Sequence, residues 1–268
     1  MATMRPSQLA VTLFTLRDFC NTPAEITKTL ARVRKIGYEN VQISGRGLMD
    51  VNPPDLKRMV EDAGLRIIGS HIGLQMFREE FSRVVTRLHD WGCAYAAIPS
   101  MGPEDRATLA DWKARAHEFT AFGRSLAKEG VTLQYHNHNF EFHKYGGRGG
   151  LGGRLGLEIL YADSDPKYLQ AEIDVAWVSR GGGDPSDWCA RMKGRMDQVH
   201  LKDWTMINNE PAWTEVGEGN LNMPAVLRAC KAAGVRTYIV EQDQCPVTQD
   251  PFKSIAISYR HLRAMGLK

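Results

Sequence analysis

The feature that most constrains this chain is a series of eight short apolar runs separated by amphipathic stretches. The runs are Leu9–Phe14, Asn40–Ile43, Arg66–Ser70, Tyr95–Pro99, Val131–Tyr135, Leu169–Ile173, Gln198–Leu201 and Tyr238–Val240. Each has the length of a strand, and the stretches between them are long enough to hold a helix. Repeated alternation of this kind specifies a parallel sheet covered by helices, not a sandwich or a helical bundle. Eight such units in 268 residues match one closed (β/α)8 barrel, the TIM barrel, which takes roughly 250 residues. We therefore expect α/β architecture and one domain spanning residues 1–268.

Local signals agree with this division. Glycines at 37, 64, 130 and 234 close amphipathic segments just ahead of an apolar run, where a left-handed residue ends a helix. Thr22-Pro23, Asn52-Pro53, Asp184-Pro185 and Asp250-Pro251 open others, because the missing proline N–H is not needed in a first turn. A helix is predicted from Asp105 to Lys128, with Trp112, Ala116, Phe119, Phe122 and Leu126 forming one core-facing stripe. The segment Lys144–Gly156 contains seven glycines and is expected to be a mobile loop. It lacks the GK[ST] ending of a phosphate-cradling loop and the strand–GxGxxG–helix context of a dinucleotide site.

Composition narrows the function. Hydrophobic residues make up 43% of the chain, enough to bury a core without disulfides. A net charge of +3, with basic and acidic residues interspersed, argues against a nucleic-acid or membrane surface and for a small neutral or weakly acidic ligand. The five cysteines are scattered without a CxxC pair and read as reduced thiols. The first residues lack a secretory pattern, and no stretch approaches the ~18 apolar residues of a membrane span. A cytoplasmic enzyme is the expectation. Nothing fixes the oligomeric state, or whether a partner subunit completes the site; for barrels that pair, an isologous dimer is the commonest choice.

Polar residues gather just after the apolar runs, which in a barrel is the carboxyl-terminal mouth where active sites lie. His71 follows the third run, His136 and His138 the fifth, Asp174 the sixth, His200 and Lys202 the seventh, and Glu241 the eighth. A lone histidine at a strand end is more often a hydrogen-bonded core group than a ligand. Carboxylates and imidazoles from several strands aimed at one mouth need a cation to balance the acids. Such a mostly oxygen donor set suits Mn²⁺ best, with Mg²⁺, Co²⁺ or Zn²⁺ as alternatives. The cation would stabilise the enediolate formed when a proton leaves the carbon beside a carbonyl. Trp177, Trp204 and Trp213 cluster near the same mouth and suit the C–H faces of a sugar, although any one of them could equally be loop packing. No Gly-rich phosphate cup follows the seventh or eighth run, so an unphosphorylated substrate is expected.

These segments, LAVTLFTLRDF, GYENVQISG, YHNHNFEF, EIDVAW, QVHLKD, VGEGNLNM and YIVEQD, resemble in order the sugar phosphate isomerase/epimerase superfamily of xylose isomerase-like TIM barrels, in its YHNHxFEF branch. The resemblance covers almost the whole chain. It implies a metal held by Glu, Asp, His and Glu at the ends of the fifth to eighth strands. Asp174, His200 and Glu241 match three of these positions. At the fourth, strict register puts His136 where relatives carry Glu, and Glu141 is the nearest carboxylate. We expect Glu141 to be the ligand, because a second glutamate would preserve the charge around the cation. His138, with Glu141 and Glu241, is then expected to move protons, and His71, His136, Lys202, Trp177 and Trp204 to contact substrate. Trp177 stands where many epimerases carry histidine, which argues against an ordinary 3-epimerase.

The resemblance implies a small sugar or keto-sugar substrate and proton abstraction beside its carbonyl. Isomerisation or epimerisation is the first reading, and β-elimination of inosose or 3-keto-glycoside type is the alternative. A non-catalytic carbohydrate-binding barrel or a nuclease relative is the third; the near-neutral charge and the single cluster of candidate ligands oppose a nuclease.

Overall fold

The computed structural model describes residues 7–147 and 152–268. Eight parallel strands close on themselves: β1 Leu9–Thr12, β2 Asn40–Ile43, β3 Arg66–His71, β4 Tyr95–Ile98, β5 Thr132–His136, β6 Leu169–Asp174, β7 Gln198–Leu201 and β8 Thr237–Val240. Each strand pairs with its neighbours in sequence order, and β8 returns to β1 through Leu9↔Tyr238 and Val11↔Val240. All eight runs expected from the sequence are strands of this single (β/α)8 barrel. Among the described residues no helix is long and apolar enough to cross a membrane.

The strands alternate between two environments, as period-two geometry requires. Leu133 and Tyr135 of β5, Ala171 and Ile173 of β6, and Val199 and Leu201 of β7 join the apolar layer shared with the surrounding helices. The intervening side chains Gln134, Glu172, Gln198 and His200 are fully buried yet polar. The barrel interior is therefore a polar column in its upper half, and the polar residues at its mouth continue that column.

Helix starts follow the expected chemistry. Thr22 caps Pro23–Ile36 in a reciprocal arrangement with Glu25, and Asn52, Asp184 and Asp250 cap the helices that open with Pro53, Pro185 and Pro251. The helix predicted from Asp105 begins later, at Leu109. Pro103–Asp105 forms a separate short turn, Asp105 is drawn to Arg78 and Arg115, and Thr108 with Asp111 makes the true cap. Within the glycine-rich segment, Lys144–Tyr145 pairs antiparallel with Arg154–Leu155; the expected mobile centre, residues 148–151, lies outside the described residues.

The longest departure from plain βα alternation follows β7. Asp203–Ile207 and Glu210–Thr214 form a hairpin whose turn residues Asn208 and Asn209 take φ of 53° and 63°, the conformation that suits the twist of tight hairpins. The buried Asp203 side chain fixes the base of this hairpin and the loop after it, accepting backbone N–H groups from Trp204, Gly217, Gly219 and Leu221. This gives the HLKD and VGEGN segments one shared structural purpose.

Candidate metal centre

Four side chains from four adjacent strands converge at the carboxyl-terminal mouth: His136 from the end of β5, Asp174 from the end of β6, His200 from β7, and Glu241 just beyond β8. Each offers a ligand atom within 4.8 Å of the others, and all four are buried. His200 Nδ1 lies 2.8 Å from Glu241 Oε2, and His136 Nε2 lies 3.9 Å from the same oxygen. Asp174 is also the N-cap of the helix Val175–Arg180. Its Oδ1 accepts the Ala176 and Trp177 N–H groups at 3.0 Å each, which leaves Oδ2 to face the cluster.

Lys202, fully buried, supplies the positive charge at this centre. Its Nζ is 3.1 Å from Asp174 Oδ2, 3.2 Å from Glu241 Oε2 and 2.8 Å from Asp243 Oδ2. Burial disfavours the ammonium, but Asp174, Glu241 and Asp243 outweigh it and hold the group well above its ordinary range. The indole rings of Trp177 and Trp213 flank it, with centroids 5.3 and 5.1 Å from Nζ. These rings meet edge to face at 4.6 Å.

Burial raises the Asp174 carboxyl to about 6 against the pull of Lys202. Glu241 goes the other way: burial opposes ionisation, yet Lys202 and His200 hold it well below the usual carboxylate range. His136 is pushed well below its ordinary value by burial and by His200, so it is a neutral imidazole with a lone pair to give. Burial and Lys202 also push His138 down, to about 4. Among the described residues, Asp174 Oδ2, His136 Nδ1 and His138 Nδ1 are buried and have no well-formed hydrogen bond, although Lys202 stands close to the first.

The donor set fits a divalent cation. Asp174, Glu241 and Asp243 share the one ammonium of Lys202. Although burial opposes it, Glu172 and Glu241 raise the His200 imidazole above its ordinary value, so a proton on His200 helps balance the acids where a cation would take its place. Two imidazoles with two carboxylates make a mixed nitrogen and oxygen set of the kind Zn²⁺, Co²⁺ and Mn²⁺ accept.

Other expected site residues are distributed differently. Glu141 is not part of this group. The short turn Phe140–Phe142 folds it back beneath the strand, where Tyr135 Oη donates to Oε1 at 2.8 Å and the His138 N–H donates to Oε2 at 2.9 Å. Both its oxygens are thus occupied, and burial pushes it up to about 7 in spite of those donors. His136, expected at the substrate, stands in the place expected for Glu141. His71 has both ring nitrogens engaged within the protein, by Ser44 Oγ at 3.2 Å and Glu172 Oε2 at 2.8 Å. Trp204 directs its indole N–H to Ser179 Oγ at 3.2 Å and braces the hairpin. His138 stays at the mouth, 5.2 Å from the Trp177 ring and stacked on Phe140.

Glu172 and Gln42 carry no expectation from the sequence, and Asp243 stands in it only as one of the polar residues that follow the eighth run. The signal for Glu172 was its spacing: in Leu169–Asp174, Gln170, Glu172 and Asp174 alternate with apolar residues, so the second acid shares the face of the first. A cleft of about 650 Å³ exists at the opposite mouth, lined by Ser7, Asn40, Arg66 and Arg236 among others. It gathers no acid or imidazole cluster, so the ligand chemistry and not cleft size locates the centre.

Comparison with known proteins agrees with this architecture. The family model described as "xylose isomerase-like TIM barrel" matches residues 30–265. A curated inosose dehydratase from Geobacillus kaustophilus is 26% identical over 200 residues, 66% of this chain and 61% of its own length, so the chain spans about three-fifths of that relative. A solved sugar phosphate isomerase/epimerase from Parabacteroides distasonis superposes with a TM-score of 0.83 at 23% identity, over 100% of this chain and 98% of that one. An L-ribulose 3-epimerase superposes with a TM-score of 0.73 at 15% identity, over 97% and 94% of the two chains. At these identities the solved structures speak for the fold alone.

Proposed function

The chain belongs to the xylose isomerase-like TIM-barrel family, and from that premise we propose that it is a divalent-metal-dependent enzyme that removes a proton beside the carbonyl of a sugar-like polyol. The observation that carries this reading is the buried convergence of His136, Asp174, His200 and Glu241. These four would hold the cation, His136 in place of Glu141. With two nitrogen donors, Mn²⁺, Co²⁺ and Zn²⁺ fit better than Mg²⁺. When bound, the cation supplies Lewis-acid stabilisation of the negative oxygen formed on deprotonation.

The residues then divide the work. His138 is a neutral imidazole with an unpaired ring nitrogen at the mouth, so it can accept the proton from carbon. Trp177 and Trp213 form an apolar wall that suits C–H faces and excludes water. Lys202 contacts three carboxylates, the full complement of an ammonium's three donors. It can bind a substrate oxygen only when Asp174 or Glu241 turns to another cation, which couples substrate contact to the filled site.

Between β-elimination and epimerisation, β-elimination is favoured. Inverting a carbon needs a second proton carrier on the far face of the substrate; of the two carboxylates expected to move protons, Glu141 is committed to Tyr135 and His138 and Glu241 is one of the four proposed ligands. Elimination needs one base and a group that steadies the departing oxygen, which His138 and Lys202 can provide. The likeness to an inosose dehydratase supports the same choice. Proton NMR of the Mn²⁺-loaded protein in D₂O with ketoses, inososes and 3-keto glucosides tests it. Exchange with loss of water or aglycone is the expected result; exchange with a rearranged sugar identifies an isomerase or epimerase. Activity that survives complete, verified metal removal sinks both.

A further inference from the structure

Beneath the four proposed ligands lies a carboxylate that this reaction does not use. Glu172 is fully buried inside the barrel, two residues before Asp174 on the same face of β6. Its Oε2 lies 2.8 Å from His71 Nε2, 3.4 Å from His200 Nε2 and 3.5 Å from His136 Nδ1. Its Oε1 accepts from Gln42 Nε2 at 2.7 Å. The amide of Gln42 completes the arrangement, since its Oε1 lies 3.0 Å from His200 Nε2.

Both proposed histidine ligands therefore stand between two layers. His200 turns Nδ1 to Glu241 and Nε2 to Gln42, with Glu172 next nearest; His136 turns Nε2 to Glu241, and its buried Nδ1, without a well-formed hydrogen bond, has Glu172 Oε2 3.5 Å away. A metal-bound imidazole gives a lone pair from one nitrogen and keeps a proton on the other, and an acceptor for that proton fixes the tautomer and ring orientation and makes the ligand more basic. We infer that Glu172 is a positioning residue that serves both histidine ligands at once from below, with Gln42 sharing His200 and with His71, anchored by Ser44, steadying the carboxylate. The inference rests on the metal reading above and adds to it the group that sets the site's affinity.

The same atoms admit a competing assignment. His71, His136, Glu172 and His200 also lie within ligand distance of one another, as a second metal site would. For both sites to fill, His136 and His200 would each have to bridge two cations through both nitrogens as an imidazolate, giving up the one ring proton a neutral imidazole keeps. A carboxylate that faces the ring N–H each histidine keeps needs no such step. The Glu172-x-Asp174 spacing thus places one acid in each layer: Asp174 to touch the cation, Glu172 to hold the histidines that do.

The test is titration of the metal-free protein with Mn²⁺ and with Co²⁺, reading stoichiometry, affinity and the Co²⁺ absorption spectrum. Wild type is expected to bind one ion. Glu172→Gln is expected to bind one ion about 10–100-fold more weakly, with displaced Co²⁺ bands and a metal-free circular dichroism spectrum like wild type. Gln42→Leu removes only the shared amide and is expected to weaken binding in the same direction, which keeps the test open should Glu172→Gln not fold. Unchanged affinity and spectrum in a folded variant overturn the positioning role alone. Two ions per wild-type chain, falling to one in Glu172→Gln, overturn it in favour of a second metal site. A wild-type chain that binds no divalent ion overturns the metal reading itself and the positioning role with it.

Discussion

Replacing Glu141 by Gln separates two assignments that sequence register alone cannot tell apart, a metal ligand and a buried brace. The carboxyl is fully buried and its pKa is raised from 4.5 to about 7 by that burial, against the donors Tyr135 and His138. In the unfolded chain the group ionises near 4.5; in the folded chain it keeps its proton until about 7. The folded state thus binds more protons in this window, so stability falls as pH rises through it and levels off above. At about 1.4 kcal/mol per pKa unit the loss is about 3 kcal/mol. Glutamine has no proton to lose, so this part of the slope vanishes. The amide is expected to cost about 1 kcal/mol at pH 5, where it replaces a neutral acid and forfeits one hydrogen bond. At pH 8 the variant is expected to be more stable than wild type, because it no longer buries a charge. The assay is thermal or urea unfolding of both proteins with a chelator present. For a chain of this size, 3 kcal/mol corresponds to a change on the order of 6 °C or more in the difference of their midpoints between pH 5 and pH 8. Metal affinity is expected to be unchanged. Parallel stability curves together with a collapse of metal binding would refute the reasoning and restore Glu141 to the ligand set.

Four further outcomes follow from the same geometry. Asp174→Asn and Glu241→Gln are expected to abolish metal retention and turnover, checked by metal content after dialysis and by D₂O exchange with substrate. His138→Asn is expected to retain metal affinity but lose carbon-bound proton exchange, because the group stands at the mouth outside the four ligands. Lys202→Met leaves Asp174, Glu241 and Asp243 facing one another without their ammonium; the metal-free protein should lose about 3–5 kcal/mol, and added Mn²⁺ should recover more stability than in wild type, read from thermal midpoints. Gly123→Ala would put a Cβ 1.8 Å from the Tyr168 carbonyl oxygen, so the helix Leu109–Lys128 must back away, at about 1–3 kcal/mol in urea unfolding.

The strands were legible because a parallel barrel strand is short, apolar on its outer face and closed off by helix caps, and each of those signals is local. The chemistry at the mouth was legible for a related reason: a polar residue directly after a strand has one place to go in a barrel. What the sequence hid was decided by folding over a few residues. Glu141 lies five positions beyond His136, and whether it reaches the mouth depends on the turn Phe140–Phe142, which aims it back at Tyr135 instead. No periodicity announces a three-residue turn of that kind. His71 lies at a strand end as expected, yet Ser44 and Glu172 claim both its nitrogens, and those partners come from just beyond β2 and from β6. Trp204 and Trp213 are cross-strand partners in one hairpin, but Ser179 holds the first while the second meets Trp177.

The polar interior carries the deeper lesson. Reading Leu169–Ile173 as an apolar run treats Gln170 and Glu172 as interruptions, whereas period-two alternation makes them one face of the strand. The same alternation puts Gln134 before His136 on β5 and Gln198 before His200 on β7, so each histidine is preceded on its own inward face by an amide. A conventional hydrophobic filling would place alkyl groups under those imidazoles, leaving the nitrogen opposite the cation without an acceptor and its buried N–H unsatisfied, at about 1–3 kcal/mol each. On β7 that cost is avoided by Gln42 Oε1, which lies 3.0 Å from His200 Nε2; on β5 it is not, since His136 Nδ1 and both amide atoms of Gln134 are buried without a well-formed hydrogen bond. The stabilising apolar contacts are moved to the outer face, where Leu133, Tyr135, Ile173, Val199 and Leu201 pack against the helices. The barrel thus keeps its cohesion outside the strands and its electrostatic precision inside them, and a substitution should affect stability or the metal centre according to which face of the strand it occupies.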